Sequence, residues 1–198
     1  DKYVHKRKGY VMKEKKLTIY NIAFMGLMAA VMCILGPLSL PIGPVPVSLT
    51  NLVIYFTVFV IGAKAGLGSC CLYLLLGAVG LPVFSGYAGG LGKLAGPTGG
   101  YLIGFIPMII IGGLLMEKSN RNLIVTSIGW VFGTAVAYFL GTIWFVHITH
   151  STVMYALTVC VFPFIIADIA KIVIGTILGR EVRKGLIKAG IFANGQLI

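Results

Sequence analysis

Charged residues are scarce in this chain, and their scarcity excludes most soluble folds. Of the 198 residues, 11% are charged and 58% are hydrophobic, and 5 acidic side chains stand against 16 basic ones. A soluble domain normally carries about 25% charged residues. No Asp, Glu, Lys or Arg occurs between Lys16 and Lys64 or between Arg121 and Asp168, and each gap can hold two membrane-spanning helices of about 20 residues. The sequence therefore predicts an integral membrane protein.

Signatures of metal and enzyme chemistry are also lacking. The cysteines all lie inside apolar runs: Cys33, Cys70, Cys71 and Cys160. They form no C-x-x-C pair and no histidine cluster accompanies them, so we predict no metal site. The chain contains neither H-E-x-x-H nor G-x-S-x-G, the patterns of a zinc protease and a hydrolase nucleophile. The run ending at Gly92-Lys93 continues with Leu94, where a phosphate loop requires Ser or Thr. We expect no enzyme activity and no resident cofactor.

The basic residues that are present collect at the chain ends. Seven of the 16 lie in the first sixteen positions, and four more follow the last apolar run. Basic residues that flank apolar segments set orientation in a membrane, because Lys and Arg are retained on the cytoplasmic side. We therefore assign these charges to topology and contact with membrane lipid, and expect no nucleic-acid partner.

Apolar runs recur along the whole chain and predict an all-α, polytopic fold with six transmembrane helices in one bundle. They cover roughly residues 17–36, 47–63, 65–81, 99–116, 122–146 and 152–179. Six crossings put both termini on one side, and the basic tails indicate that this side is cytoplasmic. The chain then divides into a basic cytoplasmic N-terminal tail at 1–16, a membrane domain at 17–179, and a basic cytoplasmic C-terminal tail at 180–198.

Two connections on the predicted outer side have unusual compositions. Residues 37–46 contain four prolines, which exclude a helix there. Residues 82–98 are rich in glycine and otherwise mostly apolar. Irregular backbone at membrane depth is tolerated where it packs on protein or lines a cavity. The second connection is therefore predicted to be a lid over a pocket, with a flexible connector as the alternative.

One acid and one base stand inside the last apolar run. Lys171 follows Asp168 by three residues, so that both project from one face of a helix. A charge at membrane depth costs about 3 kcal/mol and normally marks a substrate, ion or proton path. A mutually neutralising pair is the alternative. A ligand with N–H donors, an anionic group and an apolar body would suit such a pair, with aromatic walls from Phe84, Tyr87 and Tyr101.

Small residues form a surface on the first predicted helix. Ala23, Gly26 and Ala30 lie on it, and the Gly26/Ala30 spacing allows a second helix to approach closely. The surface could serve packing inside the bundle or docking of a partner membrane protein.

Five segments in one order resemble a known family. They are Pro41-x-Gly-Pro-Val-Pro46, Leu74 to Phe84, Gly89 to Gly92, Gly96 to Phe105, and Asp168-x-x-Lys171. The resemblance is to BioY, the biotin-specific S component of energy-coupling factor (ECF) transporters. It implies a six-helix bundle in the cell membrane of a prokaryote, with biotin as the transported ligand. It also implies two kinds of partner, a membrane-embedded T component and two ABC-type ATPases.

The resemblance further implies a set of ligand contacts. Asp168 and Lys171 match ligand-contacting positions of the family, with Lys171 directed to the carboxylate or a polar ring group and Asp168 accepting ureido N–H, or the reverse. Many members have Gln in the run after the proline loop, where Ser48-Leu49-Thr50-Asn51 stands here, and Asn51 or Thr50 could supply that contact. The lid region corresponds to Tyr87, Gly89, Gly90, Leu91 and Gly92. Specificity for another vitamin, such as thiamin, and a proton-coupled secondary transporter that uses Asp168 are the alternatives.

Overall fold

Helices make up most of the chain that the structure, a computed structural model, describes: residues 19–40, 45–193 and 196–197. In chain order they are α1 (Ile19–Leu35), α2 (Thr50–Ile61), α3 (Ala63–Ala78), α4 (Leu91–Ala95), α5 (Gly99–Lys118), α6 (Leu123–Thr149), α7 (Val153–Cys160) and α8 (Phe162–Lys188). Two short antiparallel pairs join β1 (Ser39–Leu40) to β2 (Val47–Ser48), and β3 (Phe192–Ala193) to β4 (Gln196–Leu197). The predicted helical fold class is confirmed.

Three of the helices, α5, α6 and α8, are long and apolar enough to cross a membrane. Three more, α1, α2 and α3, are also apolar but have only 17, 12 and 16 residues. These six helices overlap the six apolar runs of the sequence, and several of them extend beyond the predicted boundaries. The chain therefore has the helical segments of a polytopic membrane protein.

The sixth apolar run is not one helix, so the predicted continuous segment at 152–179 is wrong. Val161 leaves the helical conformation, with φ −126° and ψ −60°, and separates α7 from α8. Pro163 lies in the first turn of α8. Backbone N–H groups in the first turn of a helix have no partner within the helix, so the missing N–H of proline costs nothing there. Downstream, α8 continues past the expected boundary at residue 179 as far as Lys188. The N-terminal tail, 1–16, lies outside the described residues.

A single glycine reverses the chain between α2 and α3. Gly62 has a φ of +92°, a conformation that side chains with a Cβ rarely adopt. A Cβ at Gly66 would stand 2.6 Å from Val58 Cγ2, so the two helices pack closely after the turn. The Glu117 side chain of α5 accepts the Ala63 backbone N–H at 2.9 Å and holds the start of α3.

Small residues bring the helices together in two main pairs. In the α5–α6 pair, Gly104 faces the backbone of Ala137 and Gly112 faces the Trp130 ring. In the α2–α8 pair, Gly179 packs on Phe59 of α2. Close approach through small residues is the usual packing of membrane helices. The space between these two pairs, at the N-terminal end of α2, holds a cavity.

Candidate ligand-binding site

The cavity is walled by α2, α5, α6, the α7–α8 region and both outer connections. The enclosed part of the cavity measures about 70 Å³, and the wider depression, which includes open solvent, measures about 630 Å³. Its polar lining comprises Ser48, Asn51, Ser85, Thr98, Tyr101, Thr134, Tyr138, Asp168 and Lys171. Its apolar lining includes Val45, Leu102, Phe105, Ala137 and Phe164. An apolar pocket with a few convergent polar groups is the usual form of a ligand site.

The acid and base of α8 form an ion pair on the cavity wall. Lys171 Nζ lies 2.8 Å from Asp168 Oδ1, and the two residues are 8% and 3% exposed. The Lys171 ammonium has three N–H donors, and the bond to the carboxylate does not use all of them. Because both side chains line the cavity, the pair remains within reach of a ligand.

The Asp168 carboxylate also receives donors from two other helices. Asn51 Nδ2 of α2 lies 3.2 Å from Oδ2, and the Tyr138 hydroxyl of α6 lies 2.6 Å from the same oxygen. An ionised carboxylate offers about four acceptor positions. Together with Lys171, these donors occupy three of them. The carboxylate therefore joins α2, α6 and α8 at the cavity and is fixed in one orientation.

A second set of polar contacts supports the wall behind this carboxylate. The buried Tyr55 hydroxyl lies 2.7 Å from Thr134 Oγ1, and the Tyr55 ring is tilted on Trp130 with centroids 4.8 Å apart. Thr134 also contacts Met108 Sδ at 3.8 Å. The Tyr55 and Thr134 hydroxyls thus have partners within the bundle, which limits their rearrangement when a ligand enters.

Similarity to known proteins agrees with this architecture. A model of the BioY family matches residues 12–188. The chain belongs to the BioY family. It is 35% identical over 159 residues to the biotin transporter BioY of Thermotoga maritima, covering 80% of this chain and 93% of that protein. It is 33% identical over 168 residues to the biotin transporter BioY2 of Lactococcus lactis subsp. cremoris, covering 85% and 92%.

A solved structure extends the similarity to the fold. The crystal structure of the S-component for biotin from an ECF-type ABC transporter aligns with a TM-score of 0.76 at 30% identity. The alignment covers 83% of this chain and 90% of that one. The family resemblance predicted from the five sequence segments is therefore confirmed, and the chain is a membrane protein of the transporter class.

Four of the ten ligand contacts predicted for this BioY family member lie on the cavity wall: Asn51, Tyr101, Asp168 and Lys171. The other six do not line it: Phe84, Tyr87, Gly89, Gly90, Leu91 and Gly92. Tyr87 and Leu91 are 65% and 69% exposed. The role of these six residues in ligand contact stays a prediction.

The position of Phe84 explains why most of the glycine-rich loop at 82–98 does not line the cavity. Its ring is fully buried, packs edge-on against Tyr73 with centroids 5.5 Å apart, and fills the space beside Gly77. Two backbone bonds anchor the same loop, from Gly86 N to Pro37 O at 3.0 Å and from Gly90 N to Gly77 O at 2.7 Å. Ser85 is then the residue of the predicted outer loop at 82–98 that reaches the cavity, together with Thr98 at its end.

Several wall residues were missed in the sequence. Thr134 and Tyr138 are four residues apart on α6 and line the cavity, as do Phe105 and Phe164. The spacing of Thr134 and Tyr138 places two polar groups on one face of a largely apolar helix, which is the signal that could have identified them. Phe105 and Phe164 carry no such signal, because aromatic residues are common throughout apolar helices.

The predicted docking residues lie on the outside of α1. Ala23 and Ala30 are exposed, and a Cβ added at Gly26 would meet nothing within 4 Å. The buried residues of α1, Met28, Ala29 and Met32, form the side that packs inside the bundle. Among the residues that the structure describes, none packs against the added Cβ position of Gly26, and a role of this surface in docking stays a prediction.

Proposed function

We propose that this protein captures biotin and carries it across the membrane as the S component of an ECF-type vitamin importer, with ATP hydrolysed by separate subunits. The observation that carries the proposal is the buried Asp168–Lys171 pair, which opens on a partly apolar cavity in a chain of the BioY family. Its relatives are named biotin transporters, and the aligned crystal structure is titled as the S-component for biotin.

The chemistry of the cavity suits the proposed ligand. Biotin combines a cyclic urea, an apolar bicyclic body and a chain that ends in a carboxylate. Two hydrogens of the Lys171 ammonium remain after the bond to Asp168 and are available to the urea carbonyl or the carboxylate. Leu102, Phe105 and Phe164 can pack on the apolar body. No covalent chemistry is required, so the protein acts as a binding and transport subunit.

The proposed membrane arrangement has six crossings with both termini in the cytoplasm of a prokaryotic cell. Lys64 after the α2–α3 turn, Lys118 and Arg121 near the α5–α6 turn, and the basic end of α8 then share the cytoplasmic side, as basic residues prefer. The cavity, at the opposite end of α2, faces outward. As a 12-residue helix, α2 is only about 18 Å long, and we expect the β2 residues Val47–Ser48 before it to contribute to its crossing.

The proposed partners are a membrane-embedded T component and two ABC-type ATPases. The α1 surface of Ala23, Gly26 and Ala30 is the proposed contact with the T component, because small exposed residues permit close helix packing. Biotin binding itself needs none of these partners, since every residue of the proposed site lies in this chain.

Isothermal titration of the detergent-solubilised full chain tests the proposal. We expect one biotin bound per chain, no change on adding ATP, and no binding of thiamin or riboflavin. Lys171→Ala and Asp168→Ala should each weaken binding at least tenfold, since a contact to a charged group contributes about 1.5–3 kcal/mol. Lys184→Ala is the matched control, because Lys184 pairs with Glu181 at an exposed position. Wild-type protein that binds thiamin instead of biotin would overturn the assignment.

A further inference from the structure

Tyr138 separates two spaces in the outer half of the bundle. One is the cavity that holds Asp168 and Lys171. The other is an apolar groove between α6 and α7, lined by residues that include Phe139, Ile143 and Leu157. Tyr138 lines both spaces. Its hydroxyl is on the cavity side, since it contacts Asp168.

The direction of the Tyr138 hydrogen bond is fixed by chemistry. An ionised carboxylate only accepts, so the hydroxyl donates its hydrogen to Asp168 Oδ2 across 2.6 Å. The hydroxyl oxygen keeps its acceptor capacity. Within the described part of the chain, no N–H or O–H donates to that oxygen. A bond to a charged acceptor polarises the hydroxyl and makes its oxygen a stronger acceptor in turn.

Asp168, in contrast, is already crowded with donors. Tyr138 and Asn51 both donate to Oδ2, and Lys171 donates to Oδ1. Of about four acceptor positions on a carboxylate, one remains, and it lies on the oxygen that holds the ammonium. An incoming N–H group therefore finds the Tyr138 oxygen freer than the carboxylate itself.

We propose that Tyr138 is a specificity-determining contact whose oxygen accepts an N–H of the ligand's cyclic urea. Lys171 donates to the urea carbonyl, and Asp168 acts as a positioning residue that orients and polarises Tyr138, Asn51 and Lys171. The ligand class is a cyclic urea with a free ring N–H on the side that faces α6. This assignment rests on the proposed biotin-binding function and identifies the side chain that recognises the urea N–H.

The test is a cycle of two protein forms and three ligands. Wild type and Tyr138→Phe are titrated with biotin and with its two cyclic carbamate analogues, in each of which one ring N–H is replaced by oxygen. We expect Tyr138→Phe to raise the Kd for biotin about tenfold, in line with a hydrogen bond worth about 1.4 kcal/mol. We expect no such loss for the carbamate that lacks the N–H facing Tyr138, and a loss like that of biotin for the other carbamate.

The controls separate this assignment from the proposed function and from folding. Tyr155→Phe removes an exposed hydroxyl of α7 and should leave all three Kd values unchanged. Thermal unfolding of Tyr138→Phe in detergent shows whether the bundle is intact, and Tyr138→His, which retains an acceptor, should recover part of the affinity if Phe destabilises it. A wild type that fails to bind biotin removes the proposed function. An unchanged Kd for biotin in Tyr138→Phe, or equal losses for all three ligands, overturns the role of Tyr138 alone.

Discussion

Buried charges occur at both ends of the bundle, but they are used differently. At the end that holds the cavity, Asp168 and Lys171 bond to side chains that surround an open space. At the other end, around the α2–α3 turn, the buried Arg183 guanidinium donates to the Val60 backbone carbonyl, and the exposed Glu117 carboxylate accepts from Ala63 N. A buried charge therefore indicates a ligand site when empty space adjoins it, and a structural role when backbone groups satisfy it.

The turn end also has its own small core. Phe192, from the segment after α8, is buried with Met28, Val60 and Ile61. Its ring lies 6.4 Å from that of Phe24 in α1 and beneath the Arg183 guanidinium, 4.4 Å from the ring centroid. Nearby, burial lowers the pKa of Arg121, and the Glu117 carboxylate opposes that shift. These contacts fill the end of the bundle that the proposed topology places in the cytoplasm.

The largest expected effect comes from removing both charges at the cavity end. The double variant Asp168→Asn, Lys171→Met should lose biotin affinity by more than a hundredfold, because the charged contact from Lys171, worth about 1.5–3 kcal/mol, is lost together with the carboxylate that orients Tyr138 and Asn51. Its thermal stability should stay the same or rise, because replacing a whole buried ion pair is often neutral or stabilising. Calorimetric titration and thermal unfolding measure the two quantities. A large fall in Tm with unchanged affinity would make the pair structural.

The second-largest effect is expected at the turn end, where stability should change and biotin affinity should not. Phe192→Ala should lower the free energy of unfolding by about 3 kcal/mol, the usual cost of truncating a buried Phe, and leave the Kd for biotin unchanged. Phe132→Ala, which removes an exposed ring of α6, is the control and should change neither. Weaker biotin binding in Phe192→Ala would mean that the two ends are coupled.

Some features of the fold and the site can be predicted from the sequence, and others depend on how the helices pack. Asp168 and Lys171 are visible in the sequence because charges stand out in an apolar run, and the helices are visible from hydropathy. The three-helix network around Asp168 is not, since Asn51 and Tyr138 are brought to the carboxylate by packing across 117 and 30 positions of the chain. The break at Val161 was missed because its neighbours are as apolar as any helix. The anchoring of the glycine loop could not be predicted from the sequence, because it depends on where the Phe84 ring fits.

The smallest effect that still distinguishes the two ends is expected at Gly62. Its φ of +92° and ψ of 168° and the 3.2 Å between an added Cβ and Glu117 Oε1 make Gly62→Ala unfavourable, by about 1–3 kcal/mol for a side chain in this glycine-only region of backbone conformation. The loss should appear in thermal unfolding, with the biotin Kd unchanged. Gly185→Ala on α8 is the matched control, because a Cβ there meets nothing within 4 Å and Ala favours a helix more than Gly does. If Gly62→Ala weakened biotin binding while Gly185→Ala did not, the reversal between α2 and α3 would have to reach Asn51 through α2. The turn end would then belong to the binding site rather than only to the fold.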